Sequence, residues 1–123
     1  MHIKFQIIFY QTSDGKIPIH DFLSNLDTKL RAKTVVLMEL LQEHGINLRE
    51  PYTKHLDDGI FGLRCKFGSN LTRTLYFFYA GGKIIFTNGF VKKSPKTPPG
   101  AIDLAKNIEL TSLTDRRNRQ CLR

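Results

Sequence analysis

One stretch of the chain, residues 59–99, carries many cations and no anions, and it constrains the fold more than any other feature. It reads GIFGLRCKFGSNLTRTLYFFYAGGKIIFTNGFVKKSPKTPP and lacks Asp and Glu entirely. Its seven basic residues are Arg64, Lys66, Arg73, Lys83, Lys92, Lys93 and Lys96. Much of the remainder is β-branched or aromatic, which is typical of strands. The sequence therefore predicts a sheet that presents unpaired cations, and such a surface suits a polyanion.

Three strands are predicted within this stretch, at residues 61–67, 72–79 and 83–90. The first alternates apolar residues with Arg64 and Lys66, so both cations are expected on one face. Short glycine-containing turns separate the three segments, and consecutive strands are therefore expected to be antiparallel neighbours. Cations that are dispersed along the chain would then meet on one surface.

The N-terminal part of the chain predicts one strand and two helices. Residues 2–10 are apolar and aromatic and end at a Thr-Ser-Asp-Gly turn, which favours a strand. Residues 17–23 predict a short helix whose first turn accommodates Pro18. A second helix is predicted between Asp27, which would cap its N-terminus, and Gly45, which would supply a left-handed stop.

Apolar residues at helical spacing on the second helix predict its buried face. These residues are Leu26, Leu30, Val36, Leu37, Leu40 and Leu41. Residues 46–58 predict a polar connection that ends in a turn. Cys65 lies among apolar residues of a predicted strand and is expected to be a small buried hydrophobe. Cys121 lies in a polar segment, where no role is expected for it.

A last helix is predicted over residues 100–108, with Ala101, Leu104, Ala105 and Ile108 on its buried side. Residues 111–123 contain four arginines and few apolar residues, which predicts a frayed or disordered basic tail. The chain is thus expected to be a single α+β domain, residues 1–110, followed by this tail. Its antiparallel sheet would be packed by two N-terminal helices and one C-terminal helix.

Charge and composition favour a soluble protein that meets phosphate groups. The net charge is +8 and the isoelectric point is about 9.7, as in many nucleic-acid-binding proteins. Two distant cysteines predict neither a metal site nor a disulfide framework, and no cofactor is expected. No segment has the pattern of a signal peptide or the roughly 18 apolar residues of a membrane span. We therefore expect a cytoplasmic location and no membrane partner.

Arginines and lysines gathered on strands and strand exits could bind RNA and could also cut it. Cleavage by the RNA's own 2′-OH requires proton transfer and neutralisation of a charged phosphorane. Arginines can supply the neutralisation. A lysine crowded by other cations loses affinity for its proton and can then transfer protons near neutral pH. A basic strand face is, however, more often a binding surface than a nuclease site.

The same residues carry a resemblance to a known family. The run GIFGLR, the segment RTLYFFY that begins at Arg73, and the run GFVKKSPKTP before a helix at Ala101 resemble RelE/HigB-type toxins of type II toxin–antitoxin systems. The phage-derived HigB-like branch is the most similar. The resemblance implies a RelE/ParE-like fold and a ribosome-dependent mRNA endoribonuclease that acts without metal. It also implies a cognate HigA-like antitoxin with a helix-turn-helix domain, through which operator DNA could be bound.

The resemblance also implies roles for individual residues. Arg64 and Arg73 would hold the scissile phosphate, and Lys92 or Lys93 would occupy the basic position at the end of the last strand. Lys96 would contact RNA or assist proton transfer. Three further residues are predicted to bind RNA on the ribosome: Lys66, Lys83 and, as the weaker candidate because some relatives use a histidine before this strand, His55.

Three positions depart from the pattern of this branch. Gly62 and Ala101 stand where the branch has Glu, and Pro95 stands where it has Gln. The missing carboxylate at position 62 removes a proton-transfer group or an anchor for Arg64. Two alternatives therefore stand beside the nuclease. One is a weakened or non-catalytic module that binds RNA or an antitoxin, and the other is a toxin of the same fold that poisons DNA gyrase.

Overall fold

The structure is a computed structural model, and it describes residues 5–93 and 98–114, with side chains described as far as residue 111. The described chain forms one mixed sheet with helices on both faces. Its strands are β1 (Gln6–Phe9), β2 (Thr53–Asp57), β3 (Ile60–Phe67), β4 (Asn70–Tyr79) and β5 (Lys83–Val91). Its helices are α1 (Pro18–Ser24), α2 (Thr28–His44) and α3 (Pro99–Thr114), and a 3-10 turn covers Gly45–Asn47. The expected α+β class is confirmed.

Both N-terminal helices begin and end where the local chemistry predicts. Pro18 is the first residue of α1, where its missing N–H removes no helical hydrogen bond. The side chain of Asp27 accepts a hydrogen bond from the Lys29 N–H at 3.1 Å and caps α2. Gly45 ends α2 with a φ of 56°, a left-handed conformation that favours glycine. These predictions are confirmed.

The sheet has the order β1-β5-β4-β3-β2. Strands β2 to β5 are antiparallel neighbours, as expected from their short turns. The expectation of a wholly antiparallel sheet is wrong, because β1 pairs parallel with β5, Ile8 lying opposite Ile85. Both helices α1 and α2 lie between these two strands in the chain, and this long connection lets β1 run in the same direction as β5.

The predicted polar connection over residues 46–58 is also wrong in part, because it contains the edge strand β2. This strand pairs with β3, and Thr53 lies opposite Leu63. Its sequence, TKHLD, carries three charged or titratable side chains. An edge strand tolerates such residues because one of its sides faces solvent. The polar composition of this segment is therefore why the sequence predicts a connection where the structure has a strand.

Each face of the sheet has its own hydrophobic cluster. Helices α1 and α2 cover one face, where Ile19, Leu41 and Phe86 are among the buried residues. Helix α3 covers the other face, where Ala105 and Phe77 are among the buried residues. We call these the α1/α2 face and the α3 face.

One extra residue in β5 changes which side chains face α3. Tyr76 pairs with Phe86, whereas Thr74 pairs with Gly89, so the register shifts by one residue between them. As a result Phe86 packs on the α1/α2 face, and Phe90, four residues later, packs on the α3 face. Such a shift is a β-bulge, in which two residues of one strand oppose one residue of the other.

Buried hydrogen bonds hold this bulge and connect it to α3. The Thr87 hydroxyl lies 3.3 Å from the Leu75 carbonyl and 2.6 Å from the Asn88 Oδ1. The Asn88 Nδ2 donates to the Ala101 carbonyl at 3.2 Å. Polar groups of the bulge are therefore satisfied although they are buried, and one of them fixes the first turn of α3.

The predicted buried faces of two helices need correction. Val36 is 60% exposed on α2, and Leu104 is 45% exposed on α3, whereas Leu41 and Ala105 are fully buried as expected. Each of the two exposed residues fits the apolar spacing but lies outside the part of its helix that contacts the sheet. Helix α3 also continues past the predicted end at residue 108.

Two further predictions concern the end of the chain and its relation to membranes. The predicted tail, residues 111–123, begins within α3, which is helical to Thr114, and the rest of that tail lies outside the described residues. None of the helices described has the length and apolar character that a membrane crossing requires.

Candidate functional site

The strand register brings the two predicted phosphate-binding arginines directly opposite each other. Arg64 of β3 pairs with Arg73 of β4, and Arg73 pairs in turn with Phe90 of β5. On the other side, the Arg64 N–H donates to the Tyr52 carbonyl at 2.7 Å, just before β2. Residues that are directly opposite share a face of the sheet. Tyr52, Arg64, Arg73 and Phe90 therefore form one line across the sheet, which we call the arginine row.

A second line of residues lies beside the arginine row. Lys66 pairs with Leu71, and the Lys92 N–H donates to the Leu71 carbonyl at 2.7 Å. Lys54 of β2 pairs with Gly62, on the opposite side of the row. Five cations therefore share the α3 face at one end of the sheet. We call them the basic face: Lys54, Arg64, Lys66, Arg73 and Lys92.

Arg73 is the most unusual residue of the basic face. It is only 5% exposed, and its Nε and Nη1 atoms are buried without a hydrogen-bond partner among the described residues. Burial lowers the pKa of Arg73, the neighbouring charge of Arg64 lowers it further, and the carboxylate of Glu50 raises it. A guanidinium with two buried nitrogens that lack hydrogen-bond partners is unfavourable for folding. Its presence is expected where an anionic ligand supplies the missing partner.

Gly62 leaves room for the side chain of Arg73. A Cβ atom at position 62 would lie 3.5 Å from the Arg73 Cδ and 3.0 Å from the Leu56 Cδ1. The stem of Arg73 therefore passes close to the backbone of β3 at this glycine. A side chain at position 62 would therefore touch Arg73 at an ordinary contact distance and crowd the end of the Leu56 side chain.

Lys92 is the second residue whose titration is altered by the basic face. Partial burial lowers the pKa of Lys92, and the charges of Arg73, Lys54 and Arg64 lower it further. A lysine with a lowered pKa releases its proton more readily than a lysine in water. Lys92 therefore lies close to both arginines, and its pKa is shifted in the direction that favours proton transfer.

The other predicted site residues are not all brought to this place. His55 pairs with Phe61, and their rings lie 5.1 Å apart on the α1/α2 face, away from Arg64. Lys83 begins β5 and pairs with Tyr79, so it lies at the far end of the sheet, about 30 Å from Lys92 along the strand. Lys93 is exposed and follows Lys92 directly. Lys96 and Pro95 lie outside the described residues.

Sequence patterns do not identify two members of the site, Lys54 and Tyr52. Both fall in the segment where the sequence predicts a polar connection. The pairing of Lys54 with Gly62 and the backbone hydrogen bond from Arg64 to Tyr52 bring them near Arg64. A signal is present, because Tyr52-Thr53 is β-prone and Lys54 and Leu56 alternate with Thr53 and His55. The charged residues of this edge strand mask that alternation.

The acidic side chains near the site include Glu50, whose charge acts on Arg73. Among the residues with described positions, no group of three or more His, Cys, Asp or Glu side chains is arranged to hold a metal ion. Asp57 forms an ion pair with Lys106 of α3 at 3.4 Å. The basic face therefore offers guanidinium and ammonium groups as its chemistry.

A family model described as "Phage derived protein Gp49-like (DUF891)" matches residues 21–108. The chain belongs to this Gp49-like family. The match begins in α1, ends in α3 and includes every residue of the basic face. The Gp49-like family is in general a family of RelE/HigB-like toxins, which are associated with toxin–antitoxin pairs and hence with an antitoxin partner. A search of curated proteins found no match to the chain.

Proposed function

We propose that this Gp49-like protein is the toxin of a type II toxin–antitoxin pair and that it cleaves mRNA on the ribosome. The observation that carries the proposal is Arg73, whose Nε and Nη1 atoms are buried without a hydrogen-bond partner among the described residues, directly opposite a second guanidinium. Like charges directly opposite each other destabilise a sheet. Their retention at one point is explained if a phosphodiester binds between them and neutralises both.

The proposed reaction is attack of the 2′ oxygen of RNA on the adjacent phosphorus. The 2′-OH loses its proton, the bond from phosphorus to the 5′ oxygen breaks, and the leaving oxygen takes up a proton. Arg64 and Arg73 would stabilise the charge of the phosphorane. Proton transfer would fall to the lysines that follow β5: Lys92, Lys93 and Lys96. The lowered pKa of Lys92 supports a part for it in this step.

Induction in a bacterial host tests this proposal. The protein is expected to stop growth and to produce new 5′ ends within translated transcripts, and Arg73→Ala should abolish both effects. Arg31→Ala on α2 is the matched control, because it removes an arginine from the other side of the sheet. Cleavage that survives Arg64→Ala, Arg73→Ala and a combined Lys92/Lys93 change would show that the basic face is not the active site.

Neutralisation by an antitoxin is the second part of the proposal. A helix-turn-helix protein encoded beside this chain should co-purify with it and should carry the operator-DNA contacts of the complex. We expect an acidic segment of that partner to cover the basic face, because five cations of like sign repel each other until an anionic group binds. Co-expression should restore growth, and charge reversal at Arg64 should weaken the complex.

One specific observation favours a second candidate, a module that binds RNA without cutting it. His55, predicted to bind RNA, lies on the opposite face from Arg64, and Gly62 supplies no carboxylate, so the arginine row has neither this histidine nor the Glu that the branch carries at position 62. Growth arrest without new 5′ ends would support this candidate. DNA damage without arrest of translation would instead support a toxin that poisons gyrase.

A further inference from the structure

The arginine row has an aromatic residue at each end, and the two ends differ. Phe90 is partly buried and packs against the cluster under α3, so the core explains its presence. Tyr52 is 43% exposed and forms no ring pair with another described aromatic side chain. Phe61, Tyr76 and Phe78, by contrast, stack or meet edge-to-face in the core. The core therefore does not account for Tyr52.

The backbone around Tyr52 holds it beside Arg64. Its carbonyl accepts the Arg64 N–H at 2.7 Å, and its own N–H donates to the Arg49 carbonyl at 3.1 Å. The next residue, Thr53, is buried and donates its hydroxyl to the Leu48 carbonyl at 3.0 Å. Tyr52 is thus fixed on both sides, one strand spacing of about 5 Å from Arg64 and two spacings from Arg73.

We propose that Tyr52 stacks on the nucleobase next to the phosphate held by Arg64 and Arg73, which makes the site selective for unpaired RNA. This inference rests on the proposed function. A base is separated from its own phosphate by one sugar, a distance comparable with the strand spacing that separates Tyr52 from Arg64. Every base has a π-face, so such stacking tolerates any sequence. A base within a duplex is already stacked and cannot reach the ring.

Tyrosine suits this position better than an aliphatic residue would. Its ring is rigid and amphipathic, so it can remain exposed in the free protein and still offer a large flat surface. The neighbouring guanidiniums bind a phosphate of any nucleic acid and carry no information about base pairing. Tyr52 would therefore add the preference for a splayed, single-stranded nucleotide.

Affinity for a single strand tests the stacking directly. The probe is a 2′-O-methyl RNA of about ten nucleotides, which the protein cannot cut by 2′-OH attack. Tyr52→Ala should weaken binding about tenfold or more, and Tyr52→Phe should retain it. The slope of log affinity against log salt should stay unchanged in both variants, because stacking releases no counterions. Arg73→Gln should instead reduce that slope by about 0.7.

A single tryptophan gives an independent readout, because the chain contains none. In Tyr52→Trp, addition of the oligonucleotide should quench the indole fluorescence. Phe67→Trp is the matched control. Phe67 has a similar exposure of 39%, but it lies on the α1/α2 face, where the Lys29 Nζ is 6.0 Å from its ring centre. Its replacement should show no quenching.

The outcomes separate this inference from the proposed function. If Tyr52→Ala binds within twofold of the unaltered protein while Arg73→Gln loses affinity, stacking is refuted and the phosphate site stands. If Arg73→Gln leaves both affinity and salt slope unchanged, the proposed function itself fails. If Tyr52→Ala weakens binding of polyglutamate as strongly as binding of RNA, the ring contacts a protein partner, and the nucleobase assignment is overturned.

Discussion

Replacing Arg73 by methionine should stabilise the protein while it abolishes RNA binding. Arg73 buries two N–H-bearing nitrogens that have no partner among the described residues, and it lies opposite Arg64. Leaving a buried donor unsatisfied costs about 1–3 kcal/mol, and like charges directly opposite in a sheet cost about 0.2–1 kcal/mol. Methionine keeps the apolar stem beside Gly62 and removes both unfavourable contributions.

We expect the free energy of unfolding to rise by about 2 kcal/mol in Arg73→Met. This value already includes a small loss, because methionine is shorter than arginine and fills less of the site. For a domain of this length, about 1 kcal/mol corresponds to roughly 4 °C in Tm. The expected increase in Tm is therefore about 8 °C. Thermal unfolding followed by circular dichroism and urea denaturation would measure it, and loss of oligonucleotide binding would be measured on the same sample.

Arg64→Met is the matched control for this prediction. Arg64 is half-buried and has no buried unsatisfied nitrogen, so its replacement removes the like-charge repulsion alone. Its effect on the free energy of unfolding should stay below about 1 kcal/mol. If Arg73→Met instead lowers the free energy of unfolding by more than about 1 kcal/mol, the guanidinium stabilises the fold. The reasoning that assigns it to a ligand would then be refuted.

Three other predictions concern charge, pH and packing. Arg64→Gln should reduce the salt slope of single-strand binding by about 0.7, and an unchanged slope would mean that Arg64 meets no phosphate. Because the pKa of Lys92 is lowered from 10.5, its positive charge is lost earlier as pH rises, so oligonucleotide affinity should fall in the alkaline range below pH 10.5. Lys92→Arg should bind equally well across that range, and a parallel fall in both proteins would exclude Lys92. Gly89→Ala should lower the free energy of unfolding by about 1–3 kcal/mol, since its Cβ would lie 2.5 Å from the Phe22 ring, whereas Gly100→Ala, with nothing within 4 Å, should not.

Secondary structure could be predicted wherever a local physical signal was strong. Asp27 and Gly45 mark the ends of α2 because capping and left-handed geometry act within a few residues. Strand β2 was missed because its pairing with β3 stabilises it more than its own composition does. The parallel direction of β1 depends on how α1 and α2 connect it to the sheet, which no window of sequence contains. Both predictions failed because tertiary contacts, and not the local sequence, determine the strand β2 and the direction of β1.

The sequence predicted which arginines of the candidate site lie close together, but it did not predict how they are arranged and buried. Short turns between β3, β4 and β5 implied that Arg64 and Arg73 would lie close together, and the register places them directly opposite. Burial of Arg73 could not be inferred, because it depends on the space beside Gly62. His55 illustrates the reverse error, because its place a few residues before the predicted strand of Arg64 does not reveal that its side chain lies on the opposite face of the sheet.

The extra residue in β5 lets one strand serve two purposes that would otherwise conflict. Before it, even-numbered residues such as Phe86 fill the core beneath α1 and α2. After it, even-numbered residues such as Phe90 and Lys92 face the arginines. If the same residues alternated regularly without the bulge, Lys92 would lie on the α1/α2 face and Val91 would take its place beside Arg73. Removal of one residue at Thr87 or Asn88 would allow regular pairing while Phe90 and Lys92 keep their side of the sheet, so the cost of such a deletion would fall on the hydrogen bonds that connect the bulge to α3.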